Sequence, residues 1–363
     1  MSLFNSIFRW LSIRETEDQT TAFTRSCKYK TGKVLGKGMF AVVKEAVHVE
    51  SGETYAVKIV SKKVKDKNIP HEINVLKKVS KGHENILSLI DYFETEENIY
   101  LVTELARGGE LFYRIYDRGS YFERDAAYII HSVLKGVAYL HENGVVHRDL
   151  KPENILFRTK DEESGIMIAD FGLARIVDDD KIRLLMTECG TLGYIAPEVL
   201  SSKGYGQPVD MWAVGVITYF LLCGYCPFDR EDQNSEITAI EQCDYAFEPA
   251  EYWRDISEEA QQFISSLLVL DPTKRMTATE ALGSPWLRKH IEASQLPVGE
   301  PDILEQFKRG AERRRVFRRV INVIKVINHL QHSYQIDVAL PKDENLEADT
   351  PVTVYDPSSE NMQ

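Results

Sequence analysis

Between residues 33 and 60 the chain alternates short β-branched runs with breaks at Gly36, Gly38 and Ser51-Gly52, the spacing of strands joined by hairpins. A helical stretch over 70–78 follows, and then two further strand-like apolar runs, 86–93 and 99–104. Past Gly108-Gly109 the period changes, and apolar positions recur at helical spacing over 126–143, 208–223, 256–269 and 278–287. The pattern predicts a small, mostly antiparallel β unit with one main helix, followed by a larger, mostly α unit: an α+β chain of two lobes. The stretch 211–223 is apolar on every side but shorter than the ~20 residues a membrane span needs, so it reads as a buried core helix.

The ends follow other patterns. Over residues 1–13, Phe4, Ile7, Phe8 and Leu11 fall on one helical stripe, while Asn5, Ser6 and Arg9 interrupt any signal-peptide core; a docking or membrane-surface helix is the reading. Residues 14–26 are polar and aperiodic, as in a linker, and order is expected to begin near Tyr29. A helix-prone basic segment covers 303–332. Over 337–363 seven Asp or Glu face one Lys, the composition of a disordered tail.

Composition adds limits. A chain of 363 residues with 43% hydrophobic and 28% charged positions is ordinary globular protein, long enough for two or three compact units or one two-lobed unit with tails. A formal charge of −12 argues against general affinity for nucleic acid or anionic membrane. Cys27, Cys189, Cys223, Cys226 and Cys243 are too few and too scattered for a disulfide framework and read as thiols in a reducing compartment, cytoplasmic or nuclear. With Ser2 where myristoylation needs a glycine, and no Cys near the C-terminus, no lipid anchor is indicated.

Candidate chemistry begins at Gly36-Lys37-Gly38-Met39-Phe40-Ala41-Val42-Val43. Glycines at a strand-to-strand turn let backbone N–H groups approach phosphate oxygens, though an ordinary glycine-rich hairpin carries the same string. Fifteen residues past Val43, Ala56-Val57-Lys58 is a buried-strand pattern carrying one lysine, which needs a partner; Glu72, in the helix near Pro70, is the obvious one. The specific signal is His147-Arg148-Asp149-Leu150-Lys151-Pro152-Glu153-Asn154-Ile155-Leu156, followed closely by Asp170-Phe171-Gly172 and then Ala196-Pro197-Glu198. In that order, over 29–287, these segments resemble the protein kinases.

The resemblance implies a bilobal protein kinase fold, with a small lobe over 29–105 and a large lobe over 106–287, using ATP and Mg²⁺ to phosphorylate protein Ser/Thr hydroxyls. It implies Asp149 as general base, Lys151 facing the transferring phosphate and marking the serine/threonine type, and Lys58 held by Glu72 on the nucleotide phosphates. Asn154 and Asp170 are the implied metal pair, both offering the hard oxygens Mg²⁺ takes. ATP would contact Leu35, Gly36, Lys37, Gly38, Met39, Phe40, Ala41 and Val43, then Ala56, Lys58, the gatekeeper Thr103, Glu104 and Ala106 of the hinge, Glu110 at the ribose, and Leu156. Glu110 also resembles a carboxylate contacting an arginine three residues before the phosphorylated site, so substrates with basic residues before Ser/Thr are expected. Arg148 invites a phosphorylated partner, by position Thr187, the implied target of an upstream kinase. Thr191 steadies the catalytic loop, Glu198 and Arg275 form a buried ion pair, and Asp210 braces the loop. Ala41 stands where the family has a third loop glycine, and Leu192 where a proline is common after the Gly-Thr pair. Cys223 and Cys226 have metal-ligand spacing without a second pair, so packing at a helix end is expected.

Residues 308–325 hold eight Lys or Arg and one Glu, against the charge of the whole chain. Phe317, Ile321, Ile324 and Leu330 form an apolar stripe flanked by Arg313, Arg314, Arg315, Arg318 and Arg319. Such a helix suits the Met-rich, acid-rimmed grooves of calmodulin; a docked structural helix and a membrane-surface or nuclear-targeting patch share the pattern. With the Leu-Phe after Gly-Gly-Glu, the tail makes the chain resemble the calcium/calmodulin-dependent protein kinases, particularly monomeric fungal members. The expected organisation is an N-terminal extension over 1–28, a kinase domain over 29–287, an autoinhibitory and calmodulin-binding segment over 288–332 and an acidic tail over 333–363. Calcium-loaded calmodulin would release the enzyme, and removal of everything past Pro297 would make it calcium-independent. A kinase governed by something other than calmodulin and a pseudokinase scaffold are the alternatives; against the scaffold, no catalytic position is missing.

Overall fold

The computed structural model describes residues 28–37, 41–62, 69–80, 82–171, 192–201, 206–292 and 299–312. Gly38, Met39, Phe40, Gly172, Thr187, Thr191, the stretch 1–13 and the calmodulin-binding residues from Arg313 to Leu330 lie outside the described residues, as do the side chains of Lys37 and Glu72.

The β-branched runs of the first third form five strands: β1 (Tyr29–Lys37), β2 (Ala41–His48), β3 (Thr54–Ser61), β4 (Leu89–Glu94) and β5 (Asn98–Glu104). They make one antiparallel sheet in the order β1-β2-β3-β5-β4, with α1 (Ile69–Val79) inserted between β3 and β4. Side chains alternate across the pleat, so Val60 and Leu101 join Ile73, Leu76 and Val79 of α1 in the main core while their strand neighbours point away from it. The run expected over 86–93 starts as a strand only at Leu89; Ile86 instead forms an isolated parallel bridge to Ile168 in the large lobe.

The large lobe opens with β6 (Gly109–Glu110), α2 (Leu111–Tyr116) and α3 (Glu123–Glu142), and a second antiparallel sheet forms when β7 (Ile155–Phe157) and β8 (Ile166–Ile168) join β6. Next come α4 (Pro197–Leu200), α5 (Pro208–Cys223), α6 (Gln233–Gln242), α7 (Ala250–Trp253), α8 (Glu258–Leu267), α9 (Ala278–Leu282) and α10 (Pro285–Ile291), and residues 304–312 form a last helix, α11. Every residue of α5 from Val209 to Cys223 is buried, as its all-round apolar pattern requires. No helix among the described residues is long and apolar enough to cross a membrane. Cys223 and Cys226 are buried cysteines at the end of α5, and burial pushes the Cys223 thiol far above the ordinary thiol range, away from redox or metal chemistry. The single helix expected over 278–287 is two, because Ser284 caps the second by accepting from Leu287 N at 3.4 Å and Pro285 supplies its first turn.

The chain beyond α10 returns to the large lobe. Ile303 N donates to Tyr121 O at 2.7 Å, Tyr121 N donates to Asp302 Oδ1 at 3.0 Å, and Arg124 pairs with Glu300 at 3.3 Å. Phe307 is fully buried among the rings of Phe112, Tyr121 and Phe220, with centroids 5.6–6.0 Å away. Two glycines allow this approach: a Cβ on Gly224 would lie 2.0 Å from Phe307 O, and one on Gly310 2.0 Å from Cys223 O. Gly224 also ends α5 with φ +83°, where glycine alone is comfortable.

Candidate active site

Where the lobes meet, the loop between α3 and β7 is held from below by one buried carboxylate. Asp210, in the first turn of α5, accepts from His147 N at 2.9 Å and Arg148 N at 2.8 Å, and His141 Nε2 lies 2.8 Å from it. Burial by itself would raise this carboxyl, but the His141 contact, the neighbouring His147 and the Arg148 N–H outweigh that and hold it below the usual range. These bonds fix Arg148 at φ 68°, a left-handed conformation that side chains rarely adopt. His147 faces Ala169 O through Nε2 at 3.1 Å and receives Asp149 N at Nδ1 at 3.3 Å, which assigns the neutral tautomer protonated on Nε2.

With the loop so bent, Asp149, Lys151 and Asn154 converge. Lys151 Nζ donates to Asp149 Oδ2 at 2.8 Å, and Asn154 Nδ2 donates to the same oxygen at 3.0 Å and to Asp149 O at 2.8 Å. A carboxylate held by an ammonium and an amide has a fixed orientation and one oxygen, Oδ1, left for a substrate hydroxyl. Because the Asn154 nitrogen is committed to Asp149, its oxygen is the atom left for a cation. Asp170, also left-handed at φ 62°, adds a carboxylate from the irregular stretch that follows β8. Hard oxygens from an amide and a carboxylate fit a divalent ion that keeps its remaining positions for water and phosphate.

The small lobe contributes Lys58. Its Nζ lies 2.9 Å from Asp170 Oδ1 across the cleft, with both side chains part-exposed, so the contact places two charges at the nucleotide position more than it stabilises the fold. Around Lys58 the sheet register sets Val43 beside it, Ala56 opposite Thr103 and Gly36 beside Val43; Leu156 pairs with Glu110 on the facing sheet. Glu104 uses its side chain elsewhere, accepting from Ser88 N at 2.9 Å and from the Arg158 guanidinium, which leaves its backbone carbonyl for a base edge.

Glu198 and Arg275 meet bidentately at 2.7 and 3.1 Å, and the fully buried guanidinium also donates to Pro208 O and Val269 O over the Trp212 ring. Several participants escaped the sequence reading. Glu153 stands in the quoted loop string, and its charge, after burial, raises the Glu110 carboxyl. Arg158 and His141 carry no local signal, since each acts through a residue dozens of positions away.

Residues 29–287 match the protein kinase domain family. The chain belongs to the protein kinases. This kinase is 50% identical over 311 residues to the calcium/calmodulin-dependent protein kinase cmkB of Emericella nidulans, covering 85% of this chain and 77% of that one. It is 49% identical over 306 residues to the calcium/calmodulin-dependent protein kinase type I of Schizosaccharomyces pombe, covering 83% and 89%, and 44% identical over 266 residues to myosin light chain kinase A of Dictyostelium discoideum, covering 72% and 88%. It is a serine/threonine protein kinase, transferring a phosphoryl group from ATP with the help of a divalent cation. The departures at Ala41 and Leu192 leave this machinery in place: Ala41 opens β2 opposite Val60, and Leu192 is buried in a single 3₁₀ turn.

Proposed function

We propose that this kinase phosphorylates basic protein substrates, is held inactive by its own C-terminal segment and is released by calcium-loaded calmodulin. In the transfer step the Asp149 carboxylate takes the proton of the substrate Ser or Thr hydroxyl as the hydroxyl oxygen attacks the γ-phosphorus, the bond from the γ-phosphorus to the β-phosphate oxygen breaks and ADP leaves, and Lys151 balances charge on the transferred group. Lys58 would hold the phosphates of ATP, and Asn154 and Asp170 would hold Mg²⁺, which would supply positive charge to offset the charge developing on the transferring group. Glu110 and Glu153 receive an arginine upstream of the acceptor residue.

The observation that carries the regulatory part is the docking of 299–312 against α2, the helix that directly follows Glu110. Tyr116 donates its hydroxyl to Glu312 at 3.3 Å, so the last described residues lie beside the helix that directly follows Glu110. Arginines 313 to 315 match the charge that Glu110 and Glu153 select in a substrate, and calmodulin competes for the same residues. The relatives named above as calcium/calmodulin-dependent support the same reading. Phosphorylation of Thr187 by an upstream kinase is a second gate, read out through Arg148.

The test is a chain ending at Glu312, assayed with a basic serine peptide with and without calcium and calmodulin. Full activity without calcium is expected; basal activity equal to that of the full chain refutes autoinhibition. Calcium-independent behaviour of the full chain with no retention on immobilised calmodulin points to another regulator. A cut at Pro297, which the sequence pattern favours, would also strip Ile303, Leu304, Phe307 and Ala311 from the core, so a chain ending at Glu312 keeps the described large lobe whole.

A further inference from the structure

The hinge, 104–107, and the stretch 84–88 both run where the lobes meet, and Arg158, the residue after β7, grips the two. The stretch 84–88 lies in the small lobe by sequence but is stitched to β8: Asn85 O accepts from Ile168 N at 2.9 Å, Asn85 Nδ2 donates to Ile166 O at 2.8 Å, and Leu87 N donates to Ile168 O at 3.0 Å. The Arg158 guanidinium spans from this stretch to the hinge, with Nη2 donating to Glu84 O at 2.7 Å and Nη1 to the Glu104 carboxylate. Two acceptors on separate segments match the planar fork of an arginine, which a lysine does not offer. The backbone of the same residue holds the far end of the hinge, since Arg158 O accepts from Arg107 N at 3.0 Å. Glu104 is also tied to Ser88, accepting from Ser88 N at 2.9 Å and donating its own N–H to Ser88 O at 3.1 Å. Gly108 lets the hinge close onto β7, because a Cβ there would lie 2.1 Å from Thr159 O.

We propose that Arg158 is a positioning residue for the nucleotide: by fixing the Glu104 side chain against 84–88 it sets the direction of the Glu104 carbonyl, and with it the affinity for the amino group of adenine. The proposal rests on the reading that the Glu104 backbone meets the base edge. The Arg158 and Glu104 side chains are 38% and 18% exposed, so the pair adds little to the stability of the whole fold and acts locally. A hinge released from it would have to be ordered each time a base binds, a cost that falls on nucleotide affinity and not on the chemical step.

The test is steady-state kinetics on the full chain, with calcium, calmodulin and a basic serine peptide present, comparing ATP with purine riboside triphosphate, which lacks the 6-amino group. In the unaltered chain KM for ATP should be roughly tenfold the lower. Arg158→Ala should raise KM for ATP about fivefold, with KM for the analogue, KM for the peptide and kcat each held within about twofold. Glu104→Gln, which keeps the size of the side chain and an acceptor for Ser88 N, should do the same. The double variant should stay near fivefold, where independent effects would multiply to about twenty-five-fold. An unchanged KM for ATP in both single variants overturns the proposal and leaves a surface ion pair. So does a rise shared by ATP and the analogue, a fall in kcat alongside it, or a multiplied effect in the double variant. Equal KM for ATP and the analogue in the unaltered chain overturns it at its base, by removing the adenine contact itself.

Discussion

Asp149 owes its role to two neighbours on its own loop and to one carboxylate 61 positions away. Replacing Asp149 by Asn keeps the bulk and removes the base, so kcat with a basic peptide should fall about 10²–10⁴-fold with nucleotide affinity retained, measured by steady-state kinetics and nucleotide titration. Glu110 is shifted the opposite way from the buried braces: burial first, then Glu153, raise its carboxyl, so it loses charge at a higher pH than an ordinary glutamate, about 4.3. Selectivity for an arginine-containing peptide over its alanine analogue should therefore weaken as pH falls, before overall activity does. Glu110→Gln combined with Glu153→Gln should abolish that selectivity, lowering kcat/KM for the basic peptide roughly tenfold or more and leaving the alanine peptide unchanged. Equal losses on both peptides would show that the two acids do not read the arginine.

At the scale of elements, helices far apart in sequence are tied by single buried side chains. Glu123, at the start of α3, accepts from Ser257 N at 2.7 Å and Trp286 Nε1 at 2.9 Å and faces His290 Nε2 at 3.3 Å, joining α3, α8 and α10. Burial alone would raise its carboxyl; the His290, Ser257 and Trp286 contacts together outweigh that and lower it. A lowered carboxylate contributes stability that is complete above its unfolded value, about 4.3, and is lost as pH falls through the folded one. Urea midpoints between pH 6 and pH 3 should decline more steeply for the native chain than for Glu123→Gln, which is less stable at neutral pH. The α11 anchor is tested by Phe307→Ala, which empties a site walled by three rings and should cost about 3–5 kcal/mol in thermal or urea unfolding.

For the whole molecule, the end of the family match at 287 falls inside α10, and the folded large lobe continues through 312. The regulation proposed for the C-terminal segment would therefore act from a docked base, with Gly224 and Gly310 letting two backbones touch. Gly310→Val should loosen that base, raise calcium-independent activity and lower the melting temperature, whereas a substitution in 313–330 should change calmodulin response with stability unaltered.

Periodicity alone was enough for the two lobes, the antiparallel character of the small-lobe sheet and the buried helix α5, because burial on one face or on all faces prints itself on consecutive residues. The catalytic loop and the Asp170 segment were legible as strings, since phosphoryl transfer needs a base, an ammonium and cation ligands within a few residues of one another. Short elements escaped, β6, β7 and β8 for having two or three residues each and α6 for having little apolar periodicity. So did Asp210 as the acceptor of two specific backbone N–H groups, Glu123 as a three-helix tie, and the seating of Phe307, each of which pairs groups from 62 to more than 180 positions apart. Local pattern records what a residue must be surrounded by; only the folded chain decides which distant group does the surrounding, because that choice depends on how whole elements pack and not on any neighbour in sequence.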